Sequence, residues 1–322
     1  YTINNEISLP NLTKTGYTFL GWTEKHGNKE PKKDYVIEAG TIGDKKFTAH
    51  WEVNKYNVHF DSNGGEEIED KEYTYDSNVN LPTPTRVGYT FLGWYYNNEK
   101  IELTKWNIPN DCEFVAYWKV NKYNVHFNTN GAREIEDKEY TYDSNVNLPT
   151  ITRTGYTFLG WYYNNQKVEL TKWNILNDCE FVAHWEANKY NVHFDSNGGE
   201  EIEDKEYTYD SNVTLPTPIR IGYTFLGWYN EEKKVELTKW NITSDCDFVA
   251  YWKANEDTQY TINHYKENIN DDDFTLFKTE ILYGTSDTKV EPNVNNYDGF
   301  VSPQKQKTII KPDGSTIINY YY

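Results

Sequence analysis

The sequence predicts a mainly β (α+β) fold built as a tandem array of small modules. Blocks of sequence recur every 67 residues: Lys55-Tyr-Asn-Val-His-Phe60 returns at residues 122–127 and again at 189–194. Polar and apolar residues alternate in each block, which is the period of a half-buried strand. The 322 residues include 29 Tyr, 14 Phe and 11 Trp, and a few large rings suit the core of a small module.

The repeats divide the chain into five segments. The motif Gly-Tyr-Thr-Phe-Leu-Gly-Trp ends at residues 22, 94, 161 and 228, and each copy closes on a further Trp. The first copy matches only the later part of a module, because Tyr1 aligns with Tyr73. We therefore expect its first strand to lie upstream of Tyr1. The expected segments are 1–51 (incomplete repeat), 54–118, 121–185, 188–252 (full repeats) and 258–322 (a different domain without Trp).

Local sequence predicts each element of a full repeat in order. Residues 55–61 alternate in polarity and predict the first strand. Ser62-Asn-Gly-Gly65 predicts a tight hairpin, since Asn-Gly tolerates positive φ angles, and the return strand is expected at Ile68–Tyr75. Prolines in residues 81–84 interrupt strand pairing, and a short helical turn is expected before Gly88.

Two later strands complete the module, at Thr90–Tyr96 and Cys112–Trp118. Cys112 and Trp118 have the same parity in their strand as Phe114, which predicts that all three face the core. Each repeat contains one Cys and no partner for it, so a disulfide framework is not indicated. Linkers of roughly four residues predict that neighbouring modules touch and form a semi-rigid array. A hairpin about Asp313-Gly314 is expected to end the last domain.

Charge restricts the possible partners. The chain has 32 Lys+Arg against 50 Asp+Glu, a formal charge of −18. This acidic excess repels nucleic acid and heparin-like polyanions. No apolar run is long enough for a membrane span, so no membrane insertion is expected in this segment. Because Met and a signal peptide are both missing, we expect an internal piece of a longer, processed protein.

The sequence does not indicate metal, cofactor or catalytic chemistry. The acidic loop Asp61–Glu67 has Glu66 where a calcium-binding EF-hand loop needs Gly, so a solvated turn is the preferred interpretation. Neither a phosphate loop, a Gly-x-Ser-x-Gly motif nor a Cys/His dyad is present, and an enzyme is not expected. The histidines without partners at metal-ligand spacing, interpreted as exposed strand residues, are His59, His126, His193 and His264.

Aromatic residues are the remaining candidates for binding. The Trp of each Leu-Thr-Lys-Trp-Asn-Ile segment is either an exposed stacking platform for sugars or a ring packed in the core, and packing is the preferred interpretation. Tyr95 and Tyr96 are adjacent in a strand, as are Tyr162 and Tyr163, so one of each pair must face outward. The candidate binding residues are Tyr96, Tyr163, Trp106, Trp173 and Trp240.

The motifs of residues 1–252 together resemble the Listeria–Bacteroides repeat, the internalin-type B-repeat of bacterial surface proteins. These motifs are Tyr-x-Val-x-Phe, Asn-Gly-Gly, Leu-Pro-x-Pro-x-Arg-x-Gly-Tyr-x-Phe-x-Gly-Trp and a closing Phe-x-Ala-x-Trp. The resemblance implies compact β-grasp, ubiquitin-like modules in extracellular proteins of mainly Gram-positive bacteria. Residues 258–322 resemble a MucBP (mucin-binding protein) module through Tyr-x-Ile-x-His-Tyr at 260–265, Gly284 and Tyr297-x-Gly-Phe300.

Two functional hypotheses follow. In the first, the chain is the non-enzymatic repeat region of a cell-surface adhesin, a semi-rigid stalk that contacts a host surface protein or mucin-type glycan. In the second, it is a passive spacer that projects another domain from the cell wall, because near-identical copies preserve length and not site diversity. Both place the chain outside the cell, at the cell surface or cell wall.

Overall fold

The computed structural model describes residues 4–27 and 29–322. Tyr1, used in the alignment with Tyr73, lies outside the described residues. These residues form strands, turns and irregular chain and contain no helix, so the prediction of a mainly β class is confirmed. The helical component is wrong: residues 81–86 are irregular, with prolines at 82 and 84, and a turn follows at Gly88. None of the described residues forms a helix long and apolar enough to span a membrane.

The chain divides into two compact units that share the third repeat. Unit 1 comprises the residues up to Asn128, with Ile135–Pro149 and Tyr163–Phe181. Unit 2 comprises Thr129–Glu134, Thr150–Tyr162 and Val182–Tyr322.

The first repeat, in unit 1, contains two small antiparallel sheets. One joins β1 to β3, and the other joins β2 to β4 with Tyr17 opposite Val53. The strands are β1 (Ile7–Ser8), β2 (Tyr17–Glu24), β3 (Val36–Ile37) and β4 (Phe47–Val53).

The second repeat, also in unit 1, forms one five-stranded sheet. Its strands are β5 (Lys55–Asp61), β6 (Lys71–Thr74), β7 (Tyr89–Tyr96), β8 (Glu99–Lys100) and β9 (Cys112–Val120). They lie in the order β6-β5-β9-β7-β8. The central pair, β5 and β9, is parallel with Phe60 opposite Phe114, and the other pairs are antiparallel.

The third and fourth repeats contain the same series of strands. The fourth, in unit 2, has the same sheet order with its own parallel central pair, β15 and β19. The strands of the third repeat are β10 (Lys122–Asn128), β11 (Lys138–Thr141), β12 (Tyr156–Tyr163), β13 (Gln166–Lys167) and β14 (Cys179–Ala187). Those of the fourth are β15 (Lys189–Asp195), β16 (Lys205–Thr208), β17 (Tyr223–Asn230), β18 (Lys233–Lys234) and β19 (Cys246–Ala254).

The Asn-Gly turn forms as predicted but does not join the strands directly. Asn63 and Gly64 have φ angles of 47° and 83°. The turn lies within a longer loop, because β6 begins only at Lys71. Glu66 donates its backbone N–H to the carbonyl of Thr85 over 2.7 Å, so the second half of the loop bonds across the module to the segment before β7. The predicted return strand at Ile68–Tyr75 was therefore too long.

A β-bulge changes which residues of β7 face inward. Phe91 pairs with Trp118 and Gly93 with Tyr117, so Leu92 is the extra residue on this strand. The bulge lets Phe91 and Trp94 both pack inward although they are three residues apart. Beyond Trp94 the ordinary alternation resumes, which directs Tyr95 outward and Tyr96 inward.

The core of the second repeat is built on Trp106. Its ring is fully buried and stacks on Tyr73 with ring centroids 4.9 Å apart and an interplanar angle of 8°. Around it lie Val58, Phe60, Trp94, Phe114 and Ala116, all buried. The indole N–H has no hydrogen-bond partner among the described residues. The side chain of Trp106 therefore contributes apolar ring area to the core. Trp118, expected in the core, is half-buried and donates its indole N–H to the carbonyl of Ser62 over 3.0 Å.

The last domain, in unit 2, has a three-stranded sheet in the order β21-β20-β24 and a two-stranded sheet of β22 and β23. Its strands are β20 (Thr258–Glu267), β21 (Phe274–Gly284), β22 (Lys289–Val290), β23 (Thr308–Ile309) and β24 (Thr316–Tyr321). The predicted terminal hairpin is wrong. A turn does form at Gly314, but β23 pairs with β22, whereas β24 pairs in parallel with β20.

The last domain contains the same turn as the repeats, although its sequence differs. The N–H of Asp287 donates to the carbonyl of Ile310, as that of Asp76 donates to Trp106, each over 2.8 Å. Both aspartates have positive φ, 59° and 64°. Ile310 is fully buried and so occupies the place that Trp106 has in a repeat. A search for aromatic motifs misses this relation because an aliphatic residue replaces the Trp.

Replacement of Trp106 by Ala should lower the free energy of unfolding of the second repeat by about 3–5 kcal/mol, since it leaves a ring-sized cavity. Urea titration of the full chain, followed through the amide resonances of β5 and β9, measures this loss. Val87→Ala is the control, because Val87 is 65% exposed, and it should change stability by less than ~0.5 kcal/mol. A loss below ~1 kcal/mol for Trp106→Ala would mean that this ring does not organise the core.

Candidate functional site

A single residue connects the first and second repeats. β4 ends at Val53 and β5 begins at Lys55, so only Asn54 lies between the two strands. The N–H of Asn54 donates to the carbonyl of Gly16 over 2.9 Å, and its side-chain oxygen accepts the hydroxyl of Thr18 over 2.6 Å. The carbonyl of Asn54 accepts the N–H of Tyr75 over 2.9 Å. One asparagine is thus bonded to the repeat before it and to the repeat after it.

The glycine of this junction is covered by a ring of the following repeat. Gly16 has a φ of +76°, and a Cβ built on it would lie 2.1 Å from the ring of Tyr75. The ring of Tyr17 meets the same ring edge-on, with centroids 5.9 Å apart. Only glycine therefore suits this position, for both its backbone angle and its contact.

The same arrangement recurs at the next two junctions, within unit 1 and within unit 2. Asn121 and Asn188 are again the only residues between consecutive strands. Each donates its N–H over 2.9 Å to a glycine carbonyl, and each accepts a threonine hydroxyl over 2.6 Å. The full sets are Gly88, Thr90, Asn121 and Tyr142 at one junction and Gly155, Thr157, Asn188 and Tyr209 at the other.

The junction to the last domain keeps the asparagine and replaces the tyrosine. Asn255 donates to the carbonyl of Gly222 over 2.9 Å and accepts the hydroxyl of Thr224 over 2.7 Å. Ser286 takes the place of the covering tyrosine and donates its N–H to the carbonyl of Asn255. In addition, the hydroxyl of Tyr223 donates to the carboxylate of Asp287. The predicted linkers of roughly four residues therefore mostly belong to strands.

The outward-facing tyrosines are not the ones predicted. Tyr95 stacks on Tyr117 on the outer face of the sheet, with centroids 3.9 Å apart and an interplanar angle of 24°. Tyr96 packs against the buried Phe114. Tyr163 likewise contacts the buried Phe181, whereas Tyr162 stacks on His184. The spacing of Phe91 and Trp94, which requires a bulge, is the sequence signal that would have identified Tyr95 and Tyr162.

The three candidate tryptophans lie inside their repeats. Trp106, Trp173 and Trp240 are each fully buried and stack on Tyr73, Tyr140 and Tyr207, respectively. No face of these rings is open to a sugar, so the structure fits the preferred interpretation of packed rings and not the alternative of an exposed platform.

The remaining polar candidates have local partners. His59 is exposed and lies 2.7 Å from Asp70, whose hydrogen bond and charge raise the pKa of the imidazole. Asp61 accepts the backbone N–H of Asn63 over 2.8 Å, as an ordinary turn residue does. Burial raises the pKa of the Cys112 thiol to about 11, which keeps it protonated at neutral pH. Among the described residues no group of three or more His, Cys, Asp or Glu side chains is arranged to hold a metal ion.

His264 differs from the other histidines, and its predicted exposure is wrong. It is fully buried in the last domain, and its Nδ1 lies 2.9 Å from the hydroxyl of Tyr322. Its Nε2 lies 3.3 Å from the amide nitrogen of Asn295, which also donates to Glu280. Desolvation lowers the pKa of His264, although the nearby Glu280 partly opposes this shift. The alternation Tyr260, Ile262, His264 could have shown that this histidine faces inward.

Comparison with known proteins identifies the repeats. A family model described as the Listeria-Bacteroides repeat domain matches residues 1–50, 56–115, 123–183 and 190–277. The fourth match extends past β19 into the last domain.

Several bacterial proteins are similar to this chain. A protein of Evansella cellulosilytica with the provisional name Gly-rich membrane protein is 32% identical over 78% of this chain. A second protein of that organism, provisionally named a membrane protein, is 32% identical over 67% of it. Internalin H of Listeria monocytogenes is 33% identical over 53% of it. The aligned part covers 31%, 35% and 31% of these relatives, so the chain spans about a third of their length.

The last domain should lose stability as the pH falls below 6.5, the ordinary pKa of histidine. Because the folded-state pKa of His264 is lowered, the unfolded chain binds a proton more readily and the stabilisation present above pH 6.5 is lost progressively below it. Urea titration at pH 7.5 and 5.5, followed through amide resonances of β20 and β24, measures the effect. A His264→Gln variant should lack this pH dependence; equal dependence in both proteins would contradict the assignment.

Proposed function

Because this chain belongs to the Listeria–Bacteroides repeat domain family, we propose that it is the non-enzymatic repeat region of a bacterial cell-surface adhesin. In this proposal the repeats form a semi-rigid stalk, and the stalk or its last domain contacts a host protein or a glycan. The relatives named as membrane proteins and Internalin H support a place at the cell surface.

The asparagine junction is the observation that supports a semi-rigid stalk. Each junction uses the N–H, the carbonyl and the side-chain oxygen of one asparagine, and there is no free linker around which consecutive repeats could swing. A flexible linker would need several residues without such bonds. Three hydrogen bonds of about 1 kcal/mol each and a covered glycine oppose bending at the junction.

The module fold proposed from the resemblance has support from strand order. The order second, first, fifth, third, fourth, with a parallel central pair, supports a β-grasp, ubiquitin-like module, although a helix is missing among the described residues. For residues 258–322, the MucBP-like motifs support a mucin-binding module. The domain boundaries inferred from the repeats remain part of the proposal.

A passive spacer is the second candidate function. The near-identity of the junctions favours it, because a spacer needs a fixed length and nothing else. The unequal outer faces of the repeats favour adhesion instead. The second repeat has the stacked pair Tyr95 and Tyr117, whereas the equivalent positions of the first repeat are Thr23 and His50. A surface that serves only as a spacer has no need for such paired rings.

Beads coated with the full chain should adhere to mucin-coated surfaces and to epithelial cells more strongly than beads coated with albumin. This result would support the adhesin. Absence of adhesion to every surface, together with intact junctions, would support the spacer.

Replacement of Gly88 by Ala should open the second junction. The new Cβ would lie 2.2 Å from the ring of Tyr142, at a φ of +77°. We expect the amide of Asn121 to exchange with solvent at least ~10-fold faster, measured by NMR on the full chain. Gly40→Ala is the control, since Gly40 has a φ of +88° but nothing within 4 Å of its Cβ position. An unchanged exchange rate of the Asn121 amide in Gly88→Ala would contradict the proposed role of this junction.

A further inference from the structure

The outer face of the second repeat has a groove beside its stacked tyrosines. Tyr95 on β7 and Tyr117 on β9 form one wall, and Tyr117 is 41% exposed. Val115 lies beside them, and Asn97, Asn98 and Glu113 complete the rim. The groove has a volume of about 370 Å³, within the range of small-molecule sites. Tyr96 also lines it, although its ring packs against the core.

The polar groups at the rim have unused hydrogen-bonding capacity. In the part of the chain that the structure describes, the side chains of Asn97, Asn98 and Glu113 make no hydrogen bond or ion pair. Asn97 and Asn98 form the turn between β7 and β8, with φ angles of 51° and 67°. Amides supply both donors and acceptors, and the carboxylate supplies acceptors only. The groove therefore pairs aromatic surface with several free polar groups.

We infer that this groove binds a sugar ring of a neutral glycan. A sugar ring has an apolar C–H surface that packs on aromatic rings, and hydroxyls at its edge that both donate and accept hydrogen bonds. The rim of Asn97, Asn98 and Glu113 matches those hydroxyls. Glu113 and the overall charge of −18 oppose an acidic glycan.

A peptide fits this groove less well than a sugar. Peptides that bind sheets often add a strand at a free edge, but β8 covers the edge of β7 at Tyr95 and Tyr96, the two β7 residues that line the groove. The polar groups beside the groove are side chains: Asn97 and Asn98 follow the end of β7, and Glu113 lies in β9. The arrangement therefore favours a ring with hydroxyls over an extended chain.

The first and fourth repeats provide internal comparisons. The fourth keeps the stacked pair, as Tyr229 and Tyr251 at 4.0 Å, but has Glu231 and Glu232 at the turn. Two carboxylates replace the two amides there, so the donors of Asn97 and Asn98 have no counterpart at those two turn positions. In the first repeat, Thr23 bonds to His50 over 2.8 Å, so the aromatic wall is missing. We therefore assign stronger binding to the second repeat than to the first or the fourth.

This inference rests on the adhesive part of the proposed function and is independent of the stalk. The test uses the full chain against an array of neutral oligosaccharides, namely lactose, mannotriose and chitotriose, with heparin oligosaccharide as an acidic comparison. We expect binding to at least one neutral glycan and none to heparin. Titration with that glycan should shift the side-chain amide resonances of Asn97 and Asn98.

Two variants locate the site. Tyr117→Ala removes one exposed ring, and the double change Asn97→Gly with Asn98→Gly removes both amides while tolerating positive φ. Each should weaken binding at least ~10-fold, since stacking and polar contacts act together. Tyr251→Ala is the matched control, because Tyr251 is 40% exposed in the same geometry of the fourth repeat. It should change the affinity less than ~2-fold.

Three results would overturn the inference: no neutral glycan binds, heparin binds preferentially, or the Tyr117 and Asn97/Asn98 variants bind as well as the native chain. Bead adhesion separates this failure from failure of the proposed function. Beads that still adhere to cells through a protein would reject the sugar site and leave the adhesin intact. Beads that adhere to nothing would reject the adhesive function itself.

Discussion

The hydrogen bonds of one asparagine at each junction determine how consecutive repeats are joined. Asn121 is the only residue between β9 and β10, and it bonds through its backbone and its side chain. Its N–H requires the carbonyl of Gly88, which a positive φ at that glycine positions. Its carbonyl requires the N–H of Tyr142, whose ring covers the same glycine. A change at any of these residues therefore affects both neighbouring repeats.

The buried core of each repeat supports this junction. In the second repeat, the carbonyl of Trp106 accepts the N–H of Asp76, and the N–H of Trp106 donates to the carbonyl of Ser77. These bonds fix the turn that follows Tyr75. The ring of Tyr75 is the one that covers Gly16. The core tryptophan thus holds the junction tyrosine in place. In the last domain, Ile310 makes the equivalent bonds to Asp287 and Thr288, so one turn serves both kinds of module.

Much of the fold was predictable because the repeats show it several times. Alternation identified the first strand, and the shared parity of Cys112 and Phe114 identified the inner face of β9. The predictions failed where a local pattern meets a tertiary constraint. Asn63-Gly64 makes its turn, but the loop bonds to Thr85, and the turn at Gly314 joins strands that pair elsewhere. The bulge at Leu92 shifts the alternation along β7, so Tyr95 faces outward and not the predicted Tyr96.

The junction itself could not be predicted from composition or periodicity, since it depends on contacts between residues about 30 positions apart, such as Thr90 and Asn121. Its trace in the sequence is the recurrence of Gly-Tyr-Thr in all four repeats and of Asn-Lys-Tyr at the three junctions between repeats.

The asparagine of each junction should hold consecutive repeats in one relative orientation. Spin labels on Glu69→Cys and Glu136→Cys, equivalent exposed positions in the second and third repeats, test it directly once the three native cysteines are replaced by Ala. Pulsed electron–electron double resonance should give one narrow distribution of distances between the two labels in this protein. The distribution should be broad when Asn121 is also changed to Gly. A broad distribution with Asn121 intact would mean that this junction does not hold the two repeats in one orientation.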